Sequence, residues 1–435
     1  MANSYLYRTN GTPTNAYKGT VSHWVKRSDV GASTQYGTFA AWNNGGASAD
    51  RGHCNIYDDT IYFYNEQTST TIQTTRKFRD TNGWYHWVIA WDTTQATASD
   101  RVKIYVNGVQ ETLFGTSNYP GQNNTMEFNV SGRRFGVGCV ASGGNAGYFW
   151  DGYMSHFAFV DGQQLTPTTF GETDSTSGIW KFKSPSGVTW GNNGFHLKFE
   201  NSGNLGLDSS GNGNNLTVSG NLKQALDTPS NVHATLDKLQ YKTSALTYSN
   251  GNTTVSFPGA WVLALGNLGV SKGKWYWEAK CNSGNNANSY FGICSEIVPE
   301  GNGFYNNSQN GAIMYKVGGG ETYIDGTYNS SGYSPSINNT DIVGLALDLD
   351  SGTKTLKIYK NGTLSSSGGT INLSSYYDNT FVFPCFSGNS SSASCSFDVN
   401  FGNGFFGTTA ITSAGSNGNG SLFEYDVPSG YYALN

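Results

Sequence analysis

Arg101–Gly108 reads RVKIYVNG, and its alternation decides the fold class. Val102, Ile104 and Val106 fall on one face and Lys103, Tyr105 and Asn107 on the other, the two-residue period of a half-buried strand. Asn107-Gly108 then closes the phrase with a dipeptide that accepts the positive φ values of a tight hairpin. A near copy, KIYKNG, returns at Lys357–Gly362. Few dipeptides fit such a turn, so the echo reads as convergence on one strand-and-turn unit. No longer self-similarity accompanies it.

The rest of the chain has the same texture. TVSHWVKR, TIYFYNEQ, GWYHWVIAWD and GYFWDGYMSHFAFVDG precede residue 172, separated by Gly, Asn, Asp and Thr clusters. GKWYWEAK, YFGICSE, DIVGLALDLD, FVFPCFSG and SCSFDVNFG follow residue 241. With Gly at 57, Tyr at 27, Phe at 24 and Trp at 11 among 435 residues, the composition suits pleated faces and tight turns. Helical i, i+3, i+4 spacing is not sustained over a useful length. The reading is all-β: an antiparallel lobe over 1–172, a Gly/Asn-rich connector with short strands over 173–240, and a second lobe over 241–435.

Charge narrows the function classes. The 25 basic and 30 acidic residues are scattered and sum to -5, with none of the basic striping that grips nucleic acid. No run of 18 apolar residues occurs, and MANSYLYRTNG lacks a basic segment followed by an apolar one. Neither membrane insertion nor a secretion signal is therefore expected. Cys54, Cys139, Cys281, Cys294, Cys385 and Cys395 are widely spaced without a C-x-x-C pair, which favours buried thiols over a zinc site or a disulfide framework.

Gly83-Trp84-Tyr85-His86-Trp87-Val88, Trp91-Asp92, Lys103–Gly108 and Trp150-Asp151-Gly152-Tyr153-Met154-Ser155 through Phe159 resemble the concanavalin A-like lectin/laminin-G family. Gly273-Lys274-Trp275-Tyr276-Trp277-Glu278, Tyr290-Phe291-Gly292-Ile293, Asp341-Ile342-Val343-Gly344 and Val399-Asn400-Phe401-Gly402 resemble a SPRY domain. Both resemblances imply β-sandwiches of the jelly-roll type, so the expected architecture is two concanavalin A-like sandwiches. The combination, with YLYRTNG, WVKRSDVG and FRDTNGWYHWV before DSSGNGNN, DTPSN and a closing GYYALN, is similar to virion proteins of marine and cyanobacterial tailed phages. That resemblance implies a location on the particle surface, as tail fibre, receptor-binding protein or appendage. It also implies other phage structural proteins and a host surface glycan or receptor as partners. No slender shaft precedes the first lobe, which keeps a capsid- or tail-decorating role as the alternative. A homo-oligomer is expected, although no heptads enforce one.

A glycan-degrading enzyme ranks last. Glycoside hydrolysis needs two carboxylates flanking one bond, and Glu424-Tyr425-Asp426 is followed by Val427-Pro428-Ser429 without a third carboxylate. Asp348-Leu349-Asp350 reads as a strand end and turn. His23, His53, His86, His156, His196 and His233 make no H-x-H or H-x3-H pattern, and no G-x-S-x-G elbow occurs. A calcium loop is suggested by Asp208-Ser209-Ser210-Gly211-Asn212-Gly213, but Ser219 stands where a bidentate Glu belongs. Calcium thus has no complete ligand set, and no cofactor is expected.

Recognition remains. Flat rings stack on sugar C–H faces, while Asn and Asp bond hydroxyl pairs. That mixture places the expected ligand-binding residues at Phe304, Tyr305 and Asn306, at Tyr323, Asp325, Tyr328 and Tyr333, and at Tyr376, Tyr377 and Asp378.

Overall fold

The Asn107-Gly108 turn forms as its dipeptide demands: φ is 49° at Asn107 and 82° at Gly108, and Val106 pairs with Val109 across it. Asn361 and Gly362 repeat this at 47° and 78°, with Lys360 paired to Thr363. Each asparagine also reaches the neighbouring strand. Asn107 Oδ1 accepts from the His86 N–H at 2.8 Å while its own N–H donates to the His86 carbonyl at 2.9 Å. Asn361 makes the same pair of bonds to Ile342, at 2.8 and 2.9 Å. The repeated phrase therefore ties its strand to the next one as well as turning the chain.

The computed structural model describes residues 3–31, 35–46, 50–142, 144–239, 246–257, 262–283, 289–295, 311–318, 321–324, 327–329, 337–339, 341–365, 369–373, 377, 380–388, 395–413, 415 and 420–435. They divide into two units, one comprising Met1–Gln224 with Thr228–Ser230 and the other Ala225–Asp227 with Asn231–Asn435.

In the first unit the strands run β1 Tyr5–Thr9, β2 Lys18–Arg27, β3 Gln35–Trp42, β4 Arg51–Tyr57, β5 Thr60–Asn65 and β6 Thr70–Thr74. They continue with β7 Tyr85–Asp92, β8 Val102–Val106, β9 Val109–Gln110, β10 Phe114–Asn118, β11 Arg134–Val137 and β12 Val140–Ser142. The last six are β13 Asn145–Gly147, β14 Gly152–Asp161, β15 Gly171–Thr173, β16 Trp180–Phe182, β17 Phe195–Leu197 and β18 Thr217–Ser219. One sheet has the order β10-β6-β5-β4-β3-β11-β1-β18, the other β17-β14-β2-β7-β8-β9. Their facing sides bury Phe39, Phe63, Trp87, Trp91, Phe135, Phe157, Phe159 and Phe195 in one cluster, a ring-rich sandwich core of the kind that close packing favours.

Residues 173–224, expected as connector, are built into this unit. β17 pairs with β14 and β18 with β1. Phe195, Leu197 and Leu216 join the core, and asparagine side chains order the glycine-rich stretches between them: Asn212 donates to the carbonyls of Gly191 and Gly194 at 2.7 and 2.9 Å, and Asn214 to those of Asn192 and Gly194 at 2.8 Å each. Composition suggested looseness because the ordering bonds are between side chain and backbone and leave no hydrophobic period.

The second unit is centred on the strand Lys274–Ser283, flanked by Ile342–Asp348 and Cys395–Asn400 within a nine-stranded sheet. A six-stranded sheet is centred on Ser289–Ser295, between Val382–Gly388 and Ala312–Lys316. Trp277, Phe291, Phe386 and Phe397 lie in its core, and Ala234 and Leu236, from the far end of the expected connector, join them. Across both units all six cysteines are buried thiols.

Candidate functional site

Three of the ten expected ligand-binding residues lie in the described structure. Tyr323, on the strand Thr322–Ile324, meets Tyr290 edge-on at 5.9 Å and Tyr328 at 5.3 Å. Tyr328 is 50% exposed, and Glu321 beside it pairs with Lys316. Tyr377 requires a correction: it is buried in the core among Ile371 and Leu373, and its hydroxyl donates to the Gly311 carbonyl. A phenol is mostly apolar, so one satisfied bond at its tip lets the whole ring go inside. Phe304, Tyr305, Asn306, Asp325, Tyr333, Tyr376 and Asp378 lie outside the described residues.

A larger aromatic surface occurs in the first unit, on the outward side of β4 and β5; the same side of β3 is covered, with Ala40 and Trp42 buried against Cys139 and Ala141. Ile61 and Phe63 point into the core, so the period of two turns Tyr62 and Tyr64 outward. The same logic sends Arg51, His53 and Tyr57 out of β4, opposite Cys54 and Ile56. Register then aligns them across strands: Tyr64 lies opposite Thr71 and His53, His53 opposite Ala40, Ala40 opposite Gly136, and Gly136 opposite Tyr7. Gly136 is required here, because a Cβ would come within 2.6 Å of the Trp42 ring.

The rings form one continuous set. Tyr62 and Tyr64 stand 6.1 Å apart at an interplanar angle of 20°, His53 lies 5.1 Å from Tyr64, and Tyr57 lies 6.0 Å from Tyr62. Arg51 sits 5.9 Å from the Tyr64 ring centre and donates to Glu66 at 2.6 Å. Tyr7 belongs to a separate cluster beyond β3, with Tyr5 and Trp42, and Arg134 covers it at 4.7 Å. Tyr57 is 44% exposed, and Tyr62 and Tyr64 are half-buried. Burial, reinforced by the Arg51 charge, pushes the His53 imidazole down to about 3, so it is neutral at ordinary pH. Its buried Nδ1 has no hydrogen-bond partner. Such a surface presents stacking faces bordered by donors and acceptors from Arg51, Glu66 and Gln73. Sequence reasoning read TIYFYNEQ as a strand and went no further. The signal was the pair of tyrosines two residues apart, alternating with Ile61 and Phe63.

The motifs weighed for chemistry serve the backbone. Asp348 accepts from the Asp350 and Ser351 N–H groups at 3.0 and 2.9 Å and from Lys274 at 2.9 Å. Burial opposes its ionisation, but the Ser351 and Lys274 bonds outweigh it and hold the carboxyl at about 2. Asp208 accepts from the N–H groups of His196, Ser210 and Asn214 at 2.9, 2.8 and 2.8 Å, and thereby pins its own glycine-rich turn. Glu424 is bonded by the N–H and hydroxyl of Thr412. Among the described residues no group of three or more His, Cys, Asp or Glu could hold a metal ion.

Comparison with known proteins accords with two β-sandwich units. The Concanavalin A-like lectin/glucanases superfamily matches residues 2–169, and the SPRY domain family matches 274–404. The chain carries a concanavalin A-like domain followed by a SPRY domain. The aromatic surface lies on the concanavalin A-like domain, and Tyr323 and Tyr328 lie on the SPRY domain. Among solved structures, the chain is similar to the SPRY domain of human HERC1, at 20% identity and TM-score 0.28, covering 36% of this chain and 92% of that one. The TRIM65 PSpry domain matches at 14% identity and TM-score 0.29, covering 38% and 88%. The native heptameric SAP-like pentraxin from Limulus polyphemus matches at 18% identity and TM-score 0.30, covering 43% and 82%. No curated protein matches the chain.

Proposed function

We propose that this chain is a glycan-binding protein without catalytic chemistry, and that the outward face of β4 and β5 is its principal contact surface. The observation carrying this reading is the aligned set Tyr57, Tyr62, Tyr64 and His53, edged by Arg51 and Glu66. Ring faces of this kind contact pyranose C–H groups, and the bordering polar groups pair with hydroxyls. Tyr323 and Tyr328 of the SPRY domain offer a second, smaller contact. The order of the two domains, with the sequence phrases that resemble tailed-phage virion proteins, supports service on a phage particle in host-surface recognition. A capsid- or tail-decorating role is the alternative.

Binding of the full chain to host surface polysaccharide, by glycan array and by cell adsorption, tests the reading. Tyr64→Ala and Tyr62→Ala are each expected to weaken retention about three- to tenfold, the worth of one stacked ring. Equal retention by both variants, or no binding by the parent chain, counts against it. Labelling the chain on intact particles decides between tail and capsid.

A further inference from the structure

Three histidines that are far apart in sequence meet on the outward face of the sheet β17-β14-β2-β7-β8-β9. His86 leaves β7, His196 leaves β17 opposite Ala158, and His156 occupies a bulge of β14 between Ser155 and Ala158 with φ at 45°. A left-handed backbone is costly for a residue with a Cβ, so this ring is held outward by its surroundings.

One segment covers all three. Residues 171–190 cross this face, with β15 and β16 forming a hairpin, and Val188 and Trp190 pack on a cluster containing Val88, Ala158 and Val160. Three rings of the segment each meet one histidine with near-parallel planes: Trp180 stands edge to edge with His86 at 6.0 Å and 18°, Phe182 lies on His156 at 3.5 Å and 8°, and Trp190 on His196 at 5.7 Å and 15°. One face of His86 stacks on Trp24 at 4.7 Å. Trp180 Nε1 donates to His86 Nδ1 at 2.9 Å, and His86 Nε2 lies 2.8 Å from Ser22 Oγ. An indole nitrogen can only donate. His86 Nδ1 must therefore be unprotonated, which leaves the ring neutral with its proton on Nε2.

We propose that residues 171–190 form an acid-released strap: protonation of His86, His156 and His196 breaks the Trp180–His86 bond, turns three neutral ring contacts into buried cations, and lifts the segment from the sheet. A proton on His86 Nδ1 faces the indole N–H donor to donor. Rings recover part of a cation's lost hydration, but the cations also repel one another, with His156 and His196 only 5.9 Å apart. Lys198, extending from β17, repels both, while Asp208 alone of the groups acting on His196 favours its charge. Within the strap Lys181 pairs with both Glu172 and Asp174, and Lys183 bonds the Thr168 carbonyl. From β8, Lys103 pairs with Asp100 and Tyr105 packs at the same cluster as Val88. From β2, Lys26 lies over Tyr153.

Burial leads the causes that lower all three imidazoles from 6.5, His86 to about 3 and His156 and His196 to about 4. Their folded values are depressed, so the closed strap is fully favoured above 6.5 and loses ground as pH falls towards 4. Each histidine weights the open form about tenfold per pH unit in that window, and three together about a thousandfold.

Hydrogen exchange of the full chain from pH 7.5 to 4.5, corrected for intrinsic rates, tests this. The hairpin amides, including Asp174 bonded to Ile179 and Lys183 bonded to Phe170, are expected to lose protection at a pH where β2 and β7 keep theirs. His196→Phe retains a ring against Trp190 and removes one proton site. It should move the midpoint to lower pH and reduce the steepness from three protons to two. Loss of protection in the strap and in β2 and β7 at one pH overturns the proposal, as does an unchanged midpoint in both His196→Phe and His86→Gln.

Discussion

The Glu278 carboxylate clasps the chain's last segment, accepting from the backbone N–H of Glu424 at 2.8 Å and from that of Tyr425 at 3.0 Å. Tyr276 donates to it as well, at 3.2 Å, and the residue is wholly buried. Phe423, Tyr431 and Ala433 close over Tyr276 in the same place. Among the described residues of the SPRY domain Glu278 is the one buried glutamate, and its oxygens are committed to holding the chain.

Burial raises the Glu278 carboxyl to about 7, and the bonds from Glu424, Tyr425 and Tyr276 only partly offset this. A raised folded value means that the protonated form is preferred in the folded state. Its stabilisation is complete below 4.5 and is lost as pH rises through 7. The expected loss is about 3 kcal/mol between those limits. Glu278→Gln should flatten this slope in denaturant titrations read on the SPRY domain. It should also cost about 1–3 kcal/mol, because an amide presents a donor to a backbone N–H.

His23 gives the first domain the opposite dependence. It is fully buried among Phe39, Trp87 and Phe157, neither ring nitrogen has a hydrogen-bond partner, and burial, followed by repulsion from His86 when that ring gains a proton, lowers it to about 3. Stability present above 6.5 is lost as pH falls towards that value, at about 1.4 kcal/mol per unit. His23→Leu is expected to raise stability by about 2 kcal/mol at pH 5 and to weaken the acid slope in urea melts. An unaltered slope would show that His23 is not the group titrating.

Asp208→Asn removes a carboxylate that serves three backbone donors. A drop of about 1–3 kcal/mol in unfolding free energy is expected. Because those donors already occupy the oxygens, chelator should leave the Tm of the parent chain unchanged. A reproducible rise in Tm on adding calcium would contradict this assignment.

At Gly37 a Cβ would lie 2.0 Å from the Cys139 carbonyl carbon and 2.3 Å from the Val140 nitrogen, both backbone atoms. Gly37→Ala must therefore lift the segment that bonds Gly37 N–H through the Tyr148 carbonyl at 2.8 Å. Thermal unfolding should report a loss of about 1–3 kcal/mol, while Gly132→Ala, with nothing near its Cβ but φ at 79°, should cost about 1 kcal/mol from backbone strain alone.

The sequence by itself determined the local states. Alternation in RVKIYVNG and TIYFYNEQ, and the two Asn-Gly dipeptides, are written in neighbouring residues, since a strand's period and a turn's φ depend on nothing further away. The two domains were legible for the same reason, through ordered strand phrases. Only the tertiary structure decided which outward side chains meet. β4 and β5 pair so that His53 stands opposite Tyr64, while β11 enters the first sheet between β3 and β1 and sets Gly136 beside Ala40 and Tyr7, where the face is covered by Cys139 and Ala141. His86, His156 and His196 show no spacing in the chain because β7, β14 and β17 are assembled by pairing across long separations. Tyr377 looked like a surface ring and went inside, because a carbonyl from Gly311 was waiting for its hydroxyl. Register and strand order are global properties, set by burial of one face of every strand at once, and no local pattern encodes them.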